Sequence, residues 1–266
     1  MTHIDTTIFQ ELSQPARQSH KGQNGRMLII AGSEKFHGAL LLAVETAARL
    51  VDMVYVHSTK DNLKLIKKLR SEVSTFIAVS ARDLWETIGL VDVVLMGPGL
   101  PENGKTIGLV HDILSKHPEK KTVVDATAIW HVRPECLHEN CIVTPHSREF
   151  ENMFGVTATA AHVHSMAQKY KGIVALKGYV DYVSDGVTLY ENHTGNPGMT
   201  KGGTGDVFAG TIAALATKND TLTATLAGAH LVGLAGDGLY EKKGTFFNAE
   251  DLIQSMGDVW GMYMTK

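Results

Sequence analysis

Cysteine is nearly missing from this sequence: of 266 residues only Cys136 and Cys141 carry a thiol. Their spacing matches neither a zinc ribbon nor a Cys-x-x-Cys pair, so both read as free thiols of a reducing cytoplasm. Long hydrophobic runs are missing as well. No stretch reaches the ~18 apolar residues of a membrane span, and residues 1–21 are polar where a secretory signal carries its apolar core. The expected location is cytoplasmic, with no membrane partner. An excess of charge of one sign is also lacking, since 25 basic against 28 acidic side chains leave a net charge of -3. That excludes the basic field with which a protein holds nucleic acid. Linkers, low-complexity tracts and internal repeats are absent, which favours one domain over residues 1–266 although the length would accommodate two. Histidine is plentiful, at thirteen, but no His-Glu-x-x-His occurs, and His162 and His164 stand two apart and face different sides of a helix. No metal site built from protein ligands is expected.

What is present is an α/β rhythm in a chain that is 44% hydrophobic with 26 glycines. Residues 5–20 are polar and weakly helical, and a turn at 21–25 precedes a short apolar run at 27–31 that reads as a buried strand. A helix follows on Leu40, Leu41, Val44, Ala47, Ala48 and Val51, which recur at three- and four-residue steps. Strands are expected at 53–57, 75–79, 91–96, 121–125 and 141–144, with helices at 62–70 and 107–114. Successive strands end on Gly32, Gly97, Asp125 and Thr144, and in an open parallel sheet those ends line the edge where ligands bind. Helices at 146–154 and 158–170 lead to a strand at 173–176. Segments 179–184 and 187–190 then read as a β-hairpin turning at Asp185-Gly186. The last part is helical, at 205–217, 220–240 and 249–262.

Between the hairpin and those last helices lies Asn196-Pro-Gly-Met-Thr-Lys-Gly-Gly-Thr-Gly-Asp206. Gly202, Gly203 and Gly205 strip side chains from the point where the apolar series Val207, Phe208, Ile212, Leu215 begins. A helix start has free backbone N–H groups and the positive end of the macrodipole, so the loop is a candidate anion cradle. An unusual φ is expected at Gly205. Asp206 is out of place beside a phosphate unless it moves a proton or meets a cation, and that makes it the candidate base. Thr204 or Asp206 could instead be a plain helix N-cap. Three glycines, the Asn-Pro-Gly lead-in and the acid together favour the cradle, which lacks the Lys-Ser or Lys-Thr of a P-loop.

This segment resembles the anion hole and catalytic aspartate of the ribokinase-like superfamily, and residues 196–210 are similar to one branch of it, the ADP- or ATP-dependent NAD(P)H-hydrate dehydratases. Further segments match in order: His20-Lys21-Gly22 with Gly25 and the strand to Ser33, Gly97-Pro98-Gly99-Leu100, Asp125-Ala126, Thr144-Pro145-His146 with Glu149-Phe150, and Lys177-Gly178. The sequence departs from the family at Ser147-Arg148, where Pro-Gly is usual, at Thr127, where Asp is common, and at Thr200, where Ala is common.

The resemblance implies a three-layer αβα sandwich with a central, mostly parallel sheet. It implies that Ala39, Gly99, His146 and Asp206 contact the hydrated nicotinamide. Lys177, Gly178, Tyr179, Val180 and Asp181 would contact the adenine nucleotide together with Gly203, Thr204 and Gly205, and the amides of the last three would face the phosphoryl. The expected reaction is repair of the S-epimer of NAD(P)H hydrate by phosphorylation and phosphate loss, with ADP or ATP as donor and Mg²⁺ on its phosphates. A homo-oligomer, a tetramer, is implied too. His146, after Thr-Pro, reads from the residues alone as a turn or capping residue as readily as a ligand contact, and Glu149 as support for the helix start. Two other functions use the same cradle: a small-molecule kinase of the hydroxyethylthiazole type, and a nucleotide-binding protein without turnover.

Overall fold

The computed structural model describes residues 1–68 and 74–264. All ten strands of the described residues join in one sheet. In chain order they are β1 (Thr2–His3), β2 (Arg26–Ile30), β3 (Met53–His57), β4 (Ile77–Ala78), β5 (Val93–Met96), β6 (Lys121–Val124), β7 (Cys141–Val143), β8 (Ile173–Leu176), β9 (Asp181–Ser184) and β10 (Leu189–Asn192). Their order across the sheet is β1-β10-β9-β8-β7-β6-β5-β2-β3-β4. Pairing from β4 through to β8 is parallel, and β9 runs antiparallel to both its neighbours. The chain winds outward from β2 to β4, then returns to the other side of β2 at β5. That reversal makes a switch point between β2 and β5, where a crevice opens at the carboxyl edge.

The strands read as continuous apolar runs because both faces are covered. Met27 and Ile29 pack on one side, with Leu40 of α1 (His37–Ala47), Ile66 of α2 (Lys60–Lys68), Val207 of α7 (Thr204–Ala216), Ala227 of α8 (Thr221–Lys243) and Leu252 of α9 (Ala249–Met264). Leu28 and Ile30 face the other way, toward Ile88 of α3 (Leu84–Leu90), Ile113 of α4 (Gly104–Lys116), Phe150 of α5 (Ser147–Phe154) and Val163 of α6 (Ala160–Tyr170). Each strand thus serves two cores by its period of two. The result is the expected three-layer α/β sandwich with a mostly parallel sheet.

Several elements differ from the sequence reading. The hairpin does not turn on Asp185-Gly186 alone, because Ser184 pairs with Leu189 and residues 185–188 form the connection. Asp185 Oδ1 accepts from the amides of Val187 and Thr188 at 2.8 and 2.7 Å, which closes a four-residue loop in place of a two-residue turn. Residues 5–20 hold only a short 3-10 helix at Thr6–Glu11, capped by Asp5, and Pro15 lies in the loop beyond it. The strand expected at 75–79 shrinks to the two residues of β4, which sits at the sheet edge with one neighbour. The helix expected at 62–70 is α2, and positions 69 and 70 lie outside the described residues. Helix α3 and strand β1 had no counterpart in the reading; seven and two residues are too short to show a period.

Candidate active site

At the switch point the backbone of Gly97 crosses directly over the end of β6. Its φ is +125°, and a Cβ there would lie 1.7 Å from the Asp125 carbonyl oxygen, so only glycine fits. Gly99 then folds back on α1: a Cβ on it would stand 3.0 Å from the Cβ of Ala39. Two of the four residues assigned to the hydrated substrate, Ala39 and Gly99, are thereby neighbours. Beside them opens a depression of about 660 Å³, lined in part by Phe36, Thr59, Leu100, Asn103 and Thr127.

The glycine-rich loop reaches α7 through three anchors. Lys201 Nζ donates to the carbonyls of Thr245 and, at 2.7 Å, of Phe247. Thr204 Oγ1 donates to Met199 O at 2.6 Å, which ties the helix start back onto the loop. Asn196 Nδ2 donates to Asp237 Oδ1 at 3.0 Å, fixing the Asn-Pro-Gly turn on α8. The positive φ falls on Gly203, at +97°, and not on Gly205, which is already inside the helix. A Cβ at Gly205 would meet Lys177 Nζ at 3.7 Å, an ordinary contact, so the fold itself would accept a side chain there. The Thr204 amide makes a long bond of 3.4 Å to Lys201 O. Those of Gly205 and Asp206 have no backbone acceptor among the described residues, as is usual in a first helical turn. Of the expected set, the Gly203 and Gly205 amides are thus without a backbone acceptor, and the Asp206 amide adds to them.

Four charged side chains from four elements gather in front of that turn. Lys177, just past β8, donates to Asp125 Oδ1 at 2.7 Å, and the Thr144 hydroxyl donates to the same oxygen at 2.8 Å. Burial works against the Lys177 ammonium, but Asp125 and Glu149 more than offset it and hold its pKa above the ordinary value. Burial and the neighbouring Asp125 carboxylate push Asp206 up to about 7, with Lys177 opposing them. Burial also raises Glu149, which Lys177 opposes. Asp206 therefore exchanges its proton near neutrality, as a general base must.

His146 is a capping residue and faces a cavity as well. Its Nδ1 accepts from the Glu149 amide at 3.2 Å while Glu149 Oε2 accepts from the His146 amide at 2.9 Å, a reciprocal capping box at the start of α5. With Nδ1 so committed, Nε2 carries the proton of the neutral ring. Ser147 is the first residue of α5 and the exposed Arg148 the second, so the unusual pair extends the helix without entering its core.

The cavity holds about 550 Å³ and is lined by His146, Lys177, Gly178, Tyr179, Asp181, Thr204 and Gly205 among the residues singled out by sequence. Val180 and Gly203 do not line it: Val180 turns its carbonyl to Gly178, and Gly203 makes the left-handed bend before α7. Asp181 braces the Gly178 loop by accepting from its amide at 3.0 Å, and burial raises its pKa to about 6. The apolar walls, Met199, Phe208, Ala229 and Val232, had no signal in the sequence beyond ordinary helix patterning. The Asp125–Lys177 pair was equally hidden, since only the strand order brings the ends of β6 and β8 together.

The doubly wound αβα sandwich is a ribokinase-like fold, shared at a TM-score of 0.90 and 24% identity with a ribokinase-like superfamily protein of Enterococcus faecalis. Within that class the chain belongs to the NAD(P)H-hydrate dehydratase family, whose model matches residues 27–257. It is 38% identical to the bifunctional NAD(P)H-hydrate repair enzyme Nnr of Methanocaldococcus jannaschii, over 91% of this chain and 49% of that protein. The chain thus spans about half the length of that relative. It is 32% identical to the ADP-dependent (S)-NAD(P)H-hydrate dehydratase of Nitrosopumilus maritimus, over 96% of this chain and 95% of the other. It shares its fold, with a TM-score of 0.82 and 24% identity, with the ADP/ATP-dependent NAD(P)H-hydrate dehydratase of Bacillus subtilis, which was co-crystallised with ATP and Mg²⁺; 98% of each chain is covered.

Proposed function

We propose that the protein dehydrates the S-epimer of hydrated NADH or NADPH at the expense of ADP or ATP. The observation that carries this reading is Asp206: a carboxyl with a pKa of about 7, in the first turn of a helix whose start has free amides and whose Thr204 and Gly205 line the cavity of about 550 Å³. The segment Asp125–Thr127 separates it from the depression of about 660 Å³, because Asp125 binds Lys177 of the first and Thr127 lines the second. The first suits an adenine nucleotide, with apolar walls for the base and the Gly205 turn for the phosphates. The second, beside Ala39 and Gly99, suits the hydrated nicotinamide.

Asp206 takes the proton from the ring hydroxyl, and that oxygen attacks the terminal phosphoryl of the nucleotide. The bond to the donor breaks, leaving AMP from ADP or ADP from ATP. The Gly205 and Asp206 amides and the Lys177 ammonium hold the charge that develops on the phosphoryl oxygens, and loss of one such donor elsewhere costs about 3–4 kcal/mol. Phosphate is then a good leaving group, and the ring nitrogen's lone pair expels it with loss of a ring proton, restoring the reduced nicotinamide. Carboxylate oxygens of Asp125 and Asp206 beside the phosphate site suit Mg²⁺, a hard, oxygen-preferring cation. When bound, Mg²⁺ neutralises phosphate charge. The reading carries with it a cytoplasmic homo-oligomer, for which sedimentation gives the stoichiometry.

The test is an assay with hydrated NADH, Mg²⁺ and ADP or ATP. Recovery of the near-ultraviolet absorbance of reduced nicotinamide, with inorganic phosphate released in equal amount, supports the reading. If neither nucleotide restores that absorbance while a hydroxyethylthiazole-type alcohol is phosphorylated and its ester persists, the protein is a kinase. Binding of nucleotide with no product from either acceptor leaves a binding protein without turnover.

A further inference from the structure

At one edge of the sheet, β1 lies parallel to β10 with His3 opposite Glu191. The ladder continues past it, the Ile4 amide donating to Glu191 O at 3.0 Å. Along β10 the side chains alternate: Asn192 is fully buried, so Glu191 and His193, two apart, share the outward face. Register and alternation thereby bring three donors to one spot. His3 Nε2 is 3.1 Å from Glu191 Oε1, and His193 Nε2 is 3.3 Å from Glu191 Oε2. All three ligand atoms lie within 4.8 Å of one another, the only such group among the described residues.

We propose that His3, Glu191 and His193 bind a borderline divalent transition cation, with Zn²⁺ the natural occupant. Ligand atoms about 2.1 Å from a tetrahedral Zn²⁺ stand about 3.4 Å from each other, close to the two nitrogen–oxygen distances seen here. This carboxylate is held by two imidazoles, whose rings are 5.0 Å apart and both present Nε2 to it. The glutamate side chain is only 12% exposed, so its direction is set by the sheet, while the histidines, at 70% and 52%, leave the site open to an entering ion. Two imidazoles with one carboxylate suit Zn²⁺, Co²⁺ or Ni²⁺ and not Mg²⁺, which takes oxygen ligands. Three protein ligands leave the fourth position to water. The bound ion would staple β1, two residues long, to β10, and would fix His193, whose neighbour Thr194 lines the 550 Å³ cavity.

The test is calorimetric titration of chelator-treated protein with ZnCl₂, repeated with CoCl₂ and read by visible absorbance. One equivalent should bind, Mg²⁺ in excess should not displace it, and Zn²⁺ should raise the melting temperature. His3→Ala and His193→Ala, both at exposed positions, should each weaken binding by at least about tenfold, the lower bound for losing even a residue that supports a ligand. Both should abolish the thermal shift yet melt like the parent without metal. Failure to bind Zn²⁺, or equal affinity in both variants because other histidines hold the ion, overturns the proposal.

Discussion

Asp206 is the residue on which the proposed base catalysis and the pH dependence meet. Asp206→Asn keeps the shape but cannot accept the hydroxyl proton, so turnover should fall by about 10²–10⁴-fold, with nucleotide affinity nearly unchanged in a calorimetric titration. Near-normal turnover would rule out Asp206 as the base. In the parent enzyme the rate should rise through a pKa of about 7 as the carboxyl loses its proton. The same shift costs stability in a defined window. Below the ordinary value of 3.8 the group is protonated folded and unfolded alike; from there to about 7 only the unfolded chain ionises, so stability falls across that range. Asp206→Asn should therefore melt higher than the parent by about 2 °C or more near pH 8, and the gain should vanish near pH 4. An equal gain at both pH values would show that burial does not hold the carboxyl neutral.

Helix α7 is the element that presents the base, and its two flanking glycines have opposite physical roles. Gly203 sits at φ +97°, and a Cβ there would be 2.5 Å from Leu42 Cδ1. Gly203→Ala should destabilise the protein by about 1–3 kcal/mol, read from urea unfolding. Gly205 lies within the helix, where alanine is favoured by up to about 1 kcal/mol. Gly205→Ala should leave the melting temperature equal or higher while weakening nucleotide binding, because the methyl stands between Lys177 and the phosphates. A loss of stability equal to that of Gly203→Ala would mean that Gly205 serves the fold and not the ligand.

At the scale of the whole molecule, the pair Asp125–Lys177 links the ends of β6 and β8 across β7. Asp125 is 2% exposed, so removing its partner leaves a buried charge without a counterion. Lys177→Met should cost about 3–5 kcal/mol, and adding Asp125→Asn should recover much of it. Urea unfolding of the two single variants and the double variant measures the coupling; strictly additive losses would mean that the pair does not hold the sheet edge together.

The order of elements was legible along the chain because local periodicity encodes it. Strands buried on both faces read as short apolar runs, α1 and α7 as three- and four-residue steps, and the loop before Asp206 as glycines where a helix begins. Lys177, Gly178 and Asp181 could be singled out through the resemblance to the dehydratase family, and Gly205 also through its place at a helix start, which local pattern locates. The tertiary structure alone decided what those ends face. Contacts between Asp125 and Lys177, the cavity walls at Met199, Phe208 and Val232, and the group His3, Glu191, His193 depend on which strands become neighbours. Strand order is set by burying two cores at once over the whole sheet, a long-range free-energy balance that no window of sequence contains. The hairpin shows the same limit locally: Asp185-Gly186 announces a turn, but the strand register and the Asp185 Oδ1 bonds make a four-residue loop, which carries Gly186 against Gln168, whose Cα would be 2.5 Å from a Cβ there.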